Sequence, residues 1–368
     1  MPATRTTRPL DLLLAMLGAG LALLILRQAI GGSEARRADI MAALQADPLN
    51  EAGLAARGLA LARAGRDDLA APILTFAGQL DWRDPQVQAW LLASTLREGL
   101  WPEALEHADA LLRTDEAGRL RPILFPAFNQ MIASEPSRAA LLVRLEACHN
   151  PWRTQWLAQL GAADVPGADT VFEALANSRA PLRPWEYDSY INGLVGQSRF
   201  GQAYRAWRVV ARRRGEAALR DGRFEAPWDG SPFTWSPASG VGAASGTETA
   251  GAGLPGQALR VDYDGASRPG FPSQLLALGP GAWRLSWLER GQGAVRLAWR
   301  VRCAEAGSAL ATARPAGSSS WTIRRLAFVV PAAGCTAQWL ELAPDPAERR
   351  NDATSWYADM TLARTAEA

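Results

Sequence analysis

The hydrophobic period of this 368-residue chain changes once, and the change falls at the stretch DGRFEAPWDGSPFTW, Asp221 to Trp235. Upstream, apolar residues recur every three or four positions, the spacing of one face of an α-helix. Downstream they recur every second position, the spacing of one face of a strand. Helix-period and strand-period segments bury different surfaces and form different layers. The expected fold class is therefore α + β in separate domains: a helical domain over 33–220 and an antiparallel β-sandwich over 221–368.

Composition narrows the chemistry. Hydrophobic residues make up 48% and charged residues 21%, as in globular domains. A net charge of +2 creates no field for nucleic acid. All 39 basic residues are arginine, which removes lysine Schiff-base and P-loop chemistry. Two histidines, His107 and His149, and three cysteines, Cys148, Cys303 and Cys335, offer no zinc-like spacing. The adjacent pair Cys148-His149 would point in different directions from a helix.

The N-terminus reads as an anchor. After a short tail, 1–9, the run from Leu12 to Leu26 carries no charge, and with its flanks, 10–31, it approaches the ~20 residues of a spanning helix. A cleaved signal peptide is the competing reading. Arg27 follows the apolar run directly, and no small-x-small site precedes it, which favours an uncleaved signal-anchor. Arginines flank both sides, so charge alone leaves the orientation open. The simpler arrangement places the globular chain in the periplasm of a bacterial inner-membrane protein.

From Ser33 to Arg220 a repeat is visible. LARAGRDDLAAPILTFAGQLDWRDPQ aligns with LREGLWPEALEHADALLRTDEAG, placing Gly65 and Gly99, and also Ala70 and Ala104, 34 residues apart. Asp47-Pro48 and Asp84-Pro85 each precede the first helix of a pair. A third unit, Glu186 to Arg213, puts Gly196 at the turn and Ala203 in the second helix. This 34-residue helix–turn–helix pattern resembles the tetratricopeptide repeat, and the resemblance implies a stacked solenoid that binds a protein partner. A rigid spacer is the alternative reading.

Past Phe224 the strands follow. In RVDYD, WRLSWLE and VRLAWRVRC every second residue is apolar; WTIRRLAFVVP, AQWLELAP and SWYADMTLAR supply three more. The Gly-rich segment Ser239 to Gly256 reads as a loop between the first strands. The opening DGRFEAPWDGSPFTW and closing SWYADMTLAR resemble jelly-roll carbohydrate-binding modules and galactose-binding-like domains, on Asp221, Gly222, Phe224, Glu225, Trp235, Asp359 and Leu362. The resemblance implies that the quoted stretch is the first strand, paired with the last. It also implies a structural calcium between Glu225 and Asp359, although calcium wants six or more oxygens and Ala358 stands where another acid would help.

Eight of the fifteen tryptophans lie in this domain. Trp283, Trp287 and Trp299 alternate with Leu and Val and read as core. Arg296, Arg300 and Arg302 form a basic row on the opposite face of one strand, suited to the carboxylates of an acidic polysaccharide, or equally to a solvated face or to pairing with acidic neighbours. Cys303 and Cys335 end and begin strands, so a disulfide is expected in an exported domain, two isolated buried thiols being the alternative. No nucleophile elbow, metalloprotease helix or P-loop occurs. The expected function is a non-catalytic, membrane-anchored envelope protein with a protein-binding array and a glycan-binding-like jelly roll. A pure protein scaffold and a degenerate glycan-active enzyme are the alternatives.

Overall fold

A computed structural model describes residues 34–147, 151–211, 218–251, 254, 256–293, 297–313, 317–344 and 352–365. The described residues form two compact units, one within 34–160 and 164–182, the other within 161–163 and 183–365. The predicted anchor, 10–31, lies outside the described residues, as do Cys148 and His149. Among the described residues no helix is long and apolar enough to cross a membrane.

The first unit is a helical array: α1 (Glu34–Ala46), α2 (Glu51–Arg63), α3 (Asp67–Leu80), α4 (Pro85–Glu98), α5 (Trp101–Thr114), α6 (Arg121–Met131), α7 (Glu135–Ala147), α8 (Arg153–Ala162, which ends at the unit boundary) and α9 (Ala168–Ala176). The local causes are plain. The Asn50 side chain accepts from Gly53 N at the start of α2. Asp84 accepts from Gln86 N and Val87 N while Pro85 opens α4, where a missing N–H costs nothing. Gly65 and Gly99, the two repeat glycines, both turn left-handed after their helices, at φ 70° and 74°. Ala70 and Ala104 are both buried. At Gly58 a Cβ would stand 2.6 Å from the Leu74 side chain, so the approach of α2 to α3 requires glycine. The third repeat unit differs: Ser198, at φ 57°, makes the turn predicted for Gly196, because the helix runs on through Gly196.

One polar group organises the interior of this unit. The Asp109 carboxylate, on α5, accepts from Arg113 Nε at 2.9 Å, Arg144 at 2.6 Å and Trp152 Nε1 at 2.8 Å. It is almost fully buried, and three donors compensate its lost hydration. Trp152 then packs on Phe128, ring centroids 5.2 Å apart.

The second unit begins with α10 (Pro184–Gly196) and α11 (Phe200–Ala211), whose Tyr204 and Trp207 rings pack on Phe233. Nine strands follow: β1 (Ala243–Thr249), β2 (Gln257–Tyr263), β3 (Ser273–Leu276), β4 (Gly281–Gly293), β5 (Leu297–Cys303), β6 (Ala309–Thr312), β7 (Thr322–Val330), β8 (Gln338–Pro344) and β9 (Ala353–Arg364). They form two antiparallel sheets, β1-β2-β9-β4-β7 and β3-β8-β5-β6. Leu259, Val261, Leu285, Trp287, Leu297, Trp299, Leu340 and Tyr357 fill the space between them. Trp287 and Trp299 are core, as alternation predicts; Trp283 packs only partly against it.

Two expectations are overturned. The stretch Asp221–Trp235 is not a strand. Asp221 and Phe224 both hold positive φ, 47° and 54°, which breaks any ladder. It touches the five-stranded sheet through single bonds, Met360 N donating to Gly222 O and Gln257 N to Arg223 O. A Cβ at Gly222 would collide with Met360 O. The Gly-rich loop is likewise not all loop: Ala243–Thr249 pairs with β2 from Ala243↔Tyr263 to Thr249↔Gln257. It is an edge strand of small and polar residues, with no apolar alternation to announce it.

Cys303 and Cys335 are joined by a disulfide, Cα atoms 5.1 Å apart and both residues buried. The Cys303→Ala/Cys335→Ala pair is expected to lose about 3–4 kcal/mol in urea denaturation, from the loop it no longer closes. An unchanged midpoint would show that the sheets alone hold this corner. Asp109→Ala is expected to cost about 3 kcal/mol, because it leaves the buried Trp152 indole N–H without its acceptor and removes the carboxylate that Arg113 and Arg144 share.

Candidate functional site

With the inner faces committed to the core, the two sheets present only their outer faces to solvent. On the four-stranded sheet, Arg300 and Arg302 alternate with buried Trp299, Val301 and Cys303 and so point outward. Glu341 on β8 stands directly opposite Arg300. A single oxygen of it, Oε1, accepts from Arg300 Nε at 3.0 Å and from Arg302 Nε at 3.0 Å. One carboxylate thus serves two guanidiniums, and the cluster keeps a positive surplus. The predicted third member, Arg296, lies outside the described residues.

The five-stranded sheet carries the richer arrangement, and sequence reasoning missed it. Tyr357 points into the core, so its neighbour Trp356 points out. Cross-strand register sets Arg260 of β2 on one side of Trp356 and Arg290 of β4 on the other. The guanidinium carbons lie 5.7 and 4.6 Å from the Trp356 ring centroid, and Arg290 also lies 4.8 Å from the ring of Trp321. The order across the face is Arg260, Trp356, Arg290, Trp321, alternating cation and π-face.

Two carboxylates complete it. Glu248 on β1 accepts from Trp356 Nε1 at 2.6 Å and pairs with Arg290 at 3.6 Å. Asp262 pairs with Arg260 at 3.1 Å and accepts from Thr354 Oγ1 at 2.8 Å. Trp356 itself is 8% exposed, its ring covered by the guanidiniums and by a small apolar cluster with Ala250, Ala258, Ala358 and Leu288. The outward-facing groups are guanidinium N–H donors beside carboxylate acceptors, the complement of a diol. Arg290 Nε and Trp321 Nε1 are buried without an acceptor among the protein atoms, a cost of about 1–3 kcal/mol each. The signal was available in parity: Trp356 next to Tyr357, and Arg290 two places from Leu288, lie on the face opposite the core.

The calcium expectation meets a different arrangement. Asp359 sits at φ 48°, and its carboxylate faces Arg223 Nε at 3.6 Å, while Glu225 is exposed. The Asp359 carboxylate is thus paired with a guanidinium. Among the described residues no group of three or more His, Cys, Asp or Glu side chains could hold a metal. Two carboxylates fall short of the six or more oxygens calcium takes, so carbonyls and water would have to supply the rest.

No protein-family model matches the sequence, and no curated protein is significantly similar to it. Solved structures with a related backbone include the carbohydrate-binding module TmCBM61 in complex with beta-1,4-galactotriose, at 17% identity over 41% of this chain and 100% of that one, TM-score 0.31. They also include Family 16 Carbohydrate Binding Module-2, at 17% identity over 40% of this chain and 99% of that one, TM-score 0.31. A third is the CBM22-1 xylan-binding domain from Paenibacillus barcinonensis Xyn10C, at 13% identity over 36% and 87%, TM-score 0.28. These matches fall on the β-sandwich.

Adding calcium or a chelator is expected to leave the melting temperature unchanged. A rise of several degrees with calcium would show a site completed by carbonyls and water.

Proposed function

We propose that this chain is a non-catalytic glycan-binding protein of the cell envelope. In this reading segment 10–31 anchors it in the inner membrane, the globular part lies in the periplasm, the helical array engages a protein partner, and the β-sandwich holds polysaccharide. Its role would be accessory to exopolysaccharide or envelope assembly. The observation that carries the glycan reading is the Arg260–Trp356–Arg290–Trp321 row with its two flanking carboxylates. Such a face binds hydroxyl pairs through charge-assisted bonds and packs sugar C–H groups on Trp321. The Arg300–Arg302–Glu341 cluster, with its positive surplus, supplies a contact for carboxylated sugars on the other face. The buried disulfide supports an oxidising compartment.

A second reading has its own observation. On α3, Leu69, Phe76 and Leu80 fall on one helical face and are each 40% exposed or more, with Trp82 just beyond. An apolar stripe of this kind favours a scaffold whose partner is a protein.

The test is affinity measurement of the purified full chain against neutral and acidic polysaccharides. Arg290→Gln and Trp321→Ala are each expected to weaken binding about tenfold without unfolding the chain, the value of one lost cation–π or stacking contact. Arg300→Gln with Arg302→Gln is expected to weaken acidic glycans selectively. A folded protein that binds no glycan, or binds equally well in all variants, would leave the scaffold reading standing.

A further inference from the structure

The stretch that fails to become a strand builds something else. Between 220 and 235 the backbone encloses a cleft of about 240 Å³, lined by Arg220, Asp221, Pro227, Trp228, Asp229 and Thr234 among others. It belongs to neither outer face described above.

The walls are held in place by their own bonds. Asp221 accepts from Glu225 N at 2.8 Å and Ala226 N at 3.0 Å through its carboxylate, and from Trp235 Nε1 at 3.0 Å through its carbonyl. These contacts fix two non-glycine residues at positive φ, Asp221 and Phe224, each costing about 1–3 kcal/mol. Asp229 Oδ1 accepts from Ser231 N and from Thr234 Oγ1, at 3.1 and 2.5 Å. Arg220 exchanges two backbone hydrogen bonds with the fully buried Gln274, and its guanidinium lies 4.8 Å from the centroid of the Trp207 ring. The Trp228 ring packs against the sandwich core, and its Nε1 is buried without an acceptor among the protein atoms. A cleft fixed this way loses little entropy when a ligand enters.

Its contents select the ligand. The volume falls below the roughly 300–1,000 Å³ of sites for drug-sized molecules, so one ring fits and an oligosaccharide does not. Two carboxylates against one guanidinium in its lining disfavour anions such as uronic acids and phosphate. Burial pushes the Asp221 carboxyl above its ordinary range, opposed by the two backbone N–H groups it holds. A poorly hydrated carboxyl of this kind gains from hydroxyl donors. The indole of Trp228 supplies the apolar wall that a pyranose C–H face needs.

We propose that this cleft is a subsite for a single neutral sugar residue. It deepens the glycan-binding reading but stands on different residues, so the two fail separately. The source is either a free monosaccharide or the terminal residue of a chain.

The experiment is saturation-transfer NMR and calorimetry on the full chain with glucose, galactose, mannose and N-acetylglucosamine, their β-linked trisaccharides, and glucuronate. At least one neutral monosaccharide is expected to bind, weakened about tenfold by Trp228→Ala and by Asp229→Asn but not by Arg290→Gln. If Trp228→Ala does not fold, Trp228→Leu, which keeps an apolar side chain against the core and removes the flat ring, takes its place. Trisaccharide contacts confined to the terminal ring identify a chain end as the source, and monosaccharide binding alone identifies a free sugar. No neutral monosaccharide binding, preference for glucuronate, or binding indifferent to the Trp228 and Asp229 variants overturns the proposal. Loss on Arg290→Gln instead would assign the sugar to the sheet face.

Discussion

Four rings stand in contact through the middle of the second unit: Phe224, Trp235, Trp299 and Tyr357, at successive centroid distances of 5.1, 5.5 and 5.2 Å. They come from the irregular opening segment, from β5 of one sheet and from β9 of the other. Trp299 and Tyr357 are fully buried. Each ring contributes a large apolar area and a tilted or edge-on contact beyond that area. This column is what lets a segment with almost no backbone pairing belong to the sandwich. Side-chain packing replaces the ladder that the positive φ values forbid, and the chain between the rings is freed to bulge outward into a cleft.

Because the column takes the inner faces, chemistry is displaced to surfaces where charge must be managed. The two outer faces manage it differently. On one, a single carboxylate is shared by two arginines. On the other, arginines are laid over indole rings, Glu248 pairs with both Arg260 and Arg290, and Asp262 adds a second partner for Arg260. Lysine could not substitute in the second scheme, since a compact ammonium lacks the flat, weakly hydrated fork that stacks on a ring and hydrogen-bonds at its rim. The all-arginine composition, unremarkable in itself, is therefore used structurally here.

What could be read beforehand depended on whether a residue's role follows from its neighbours in sequence. Alternation placed Trp299, Val301 and Cys303 inward and Arg300 outward, and the 34-residue spacing matched Gly65 to Gly99 and Ala70 to Ala104. Strand β1 escaped notice because an edge strand of Ala, Ser, Gly and Thr buries too little to need an apolar pattern. The opening stretch was misjudged for the opposite reason. Its motif resembles a strand, but the Asp221 carboxylate accepts from Glu225 N and Ala226 N, a local turn chemistry that competes with the strand, and Trp235 Nε1 donates to the Asp221 carbonyl from farther along the chain. Trp356 shows a third kind of limit: its outward direction was legible, while its partners Glu248 and Arg290 lie 108 and 66 positions away.

The disulfide has a consequence for how damage to this protein would look. Cys303 and Cys335 bracket 31 residues that include β6 and β7, one strand from each sheet. A protease that cuts anywhere in that span leaves the two products covalently attached. β5 would stay fastened beside β8, and the nicked chain would run at full mass until reduced. Cleavage in the stretch between β6 and β7 would therefore be silent under oxidising conditions and revealed only by a thiol.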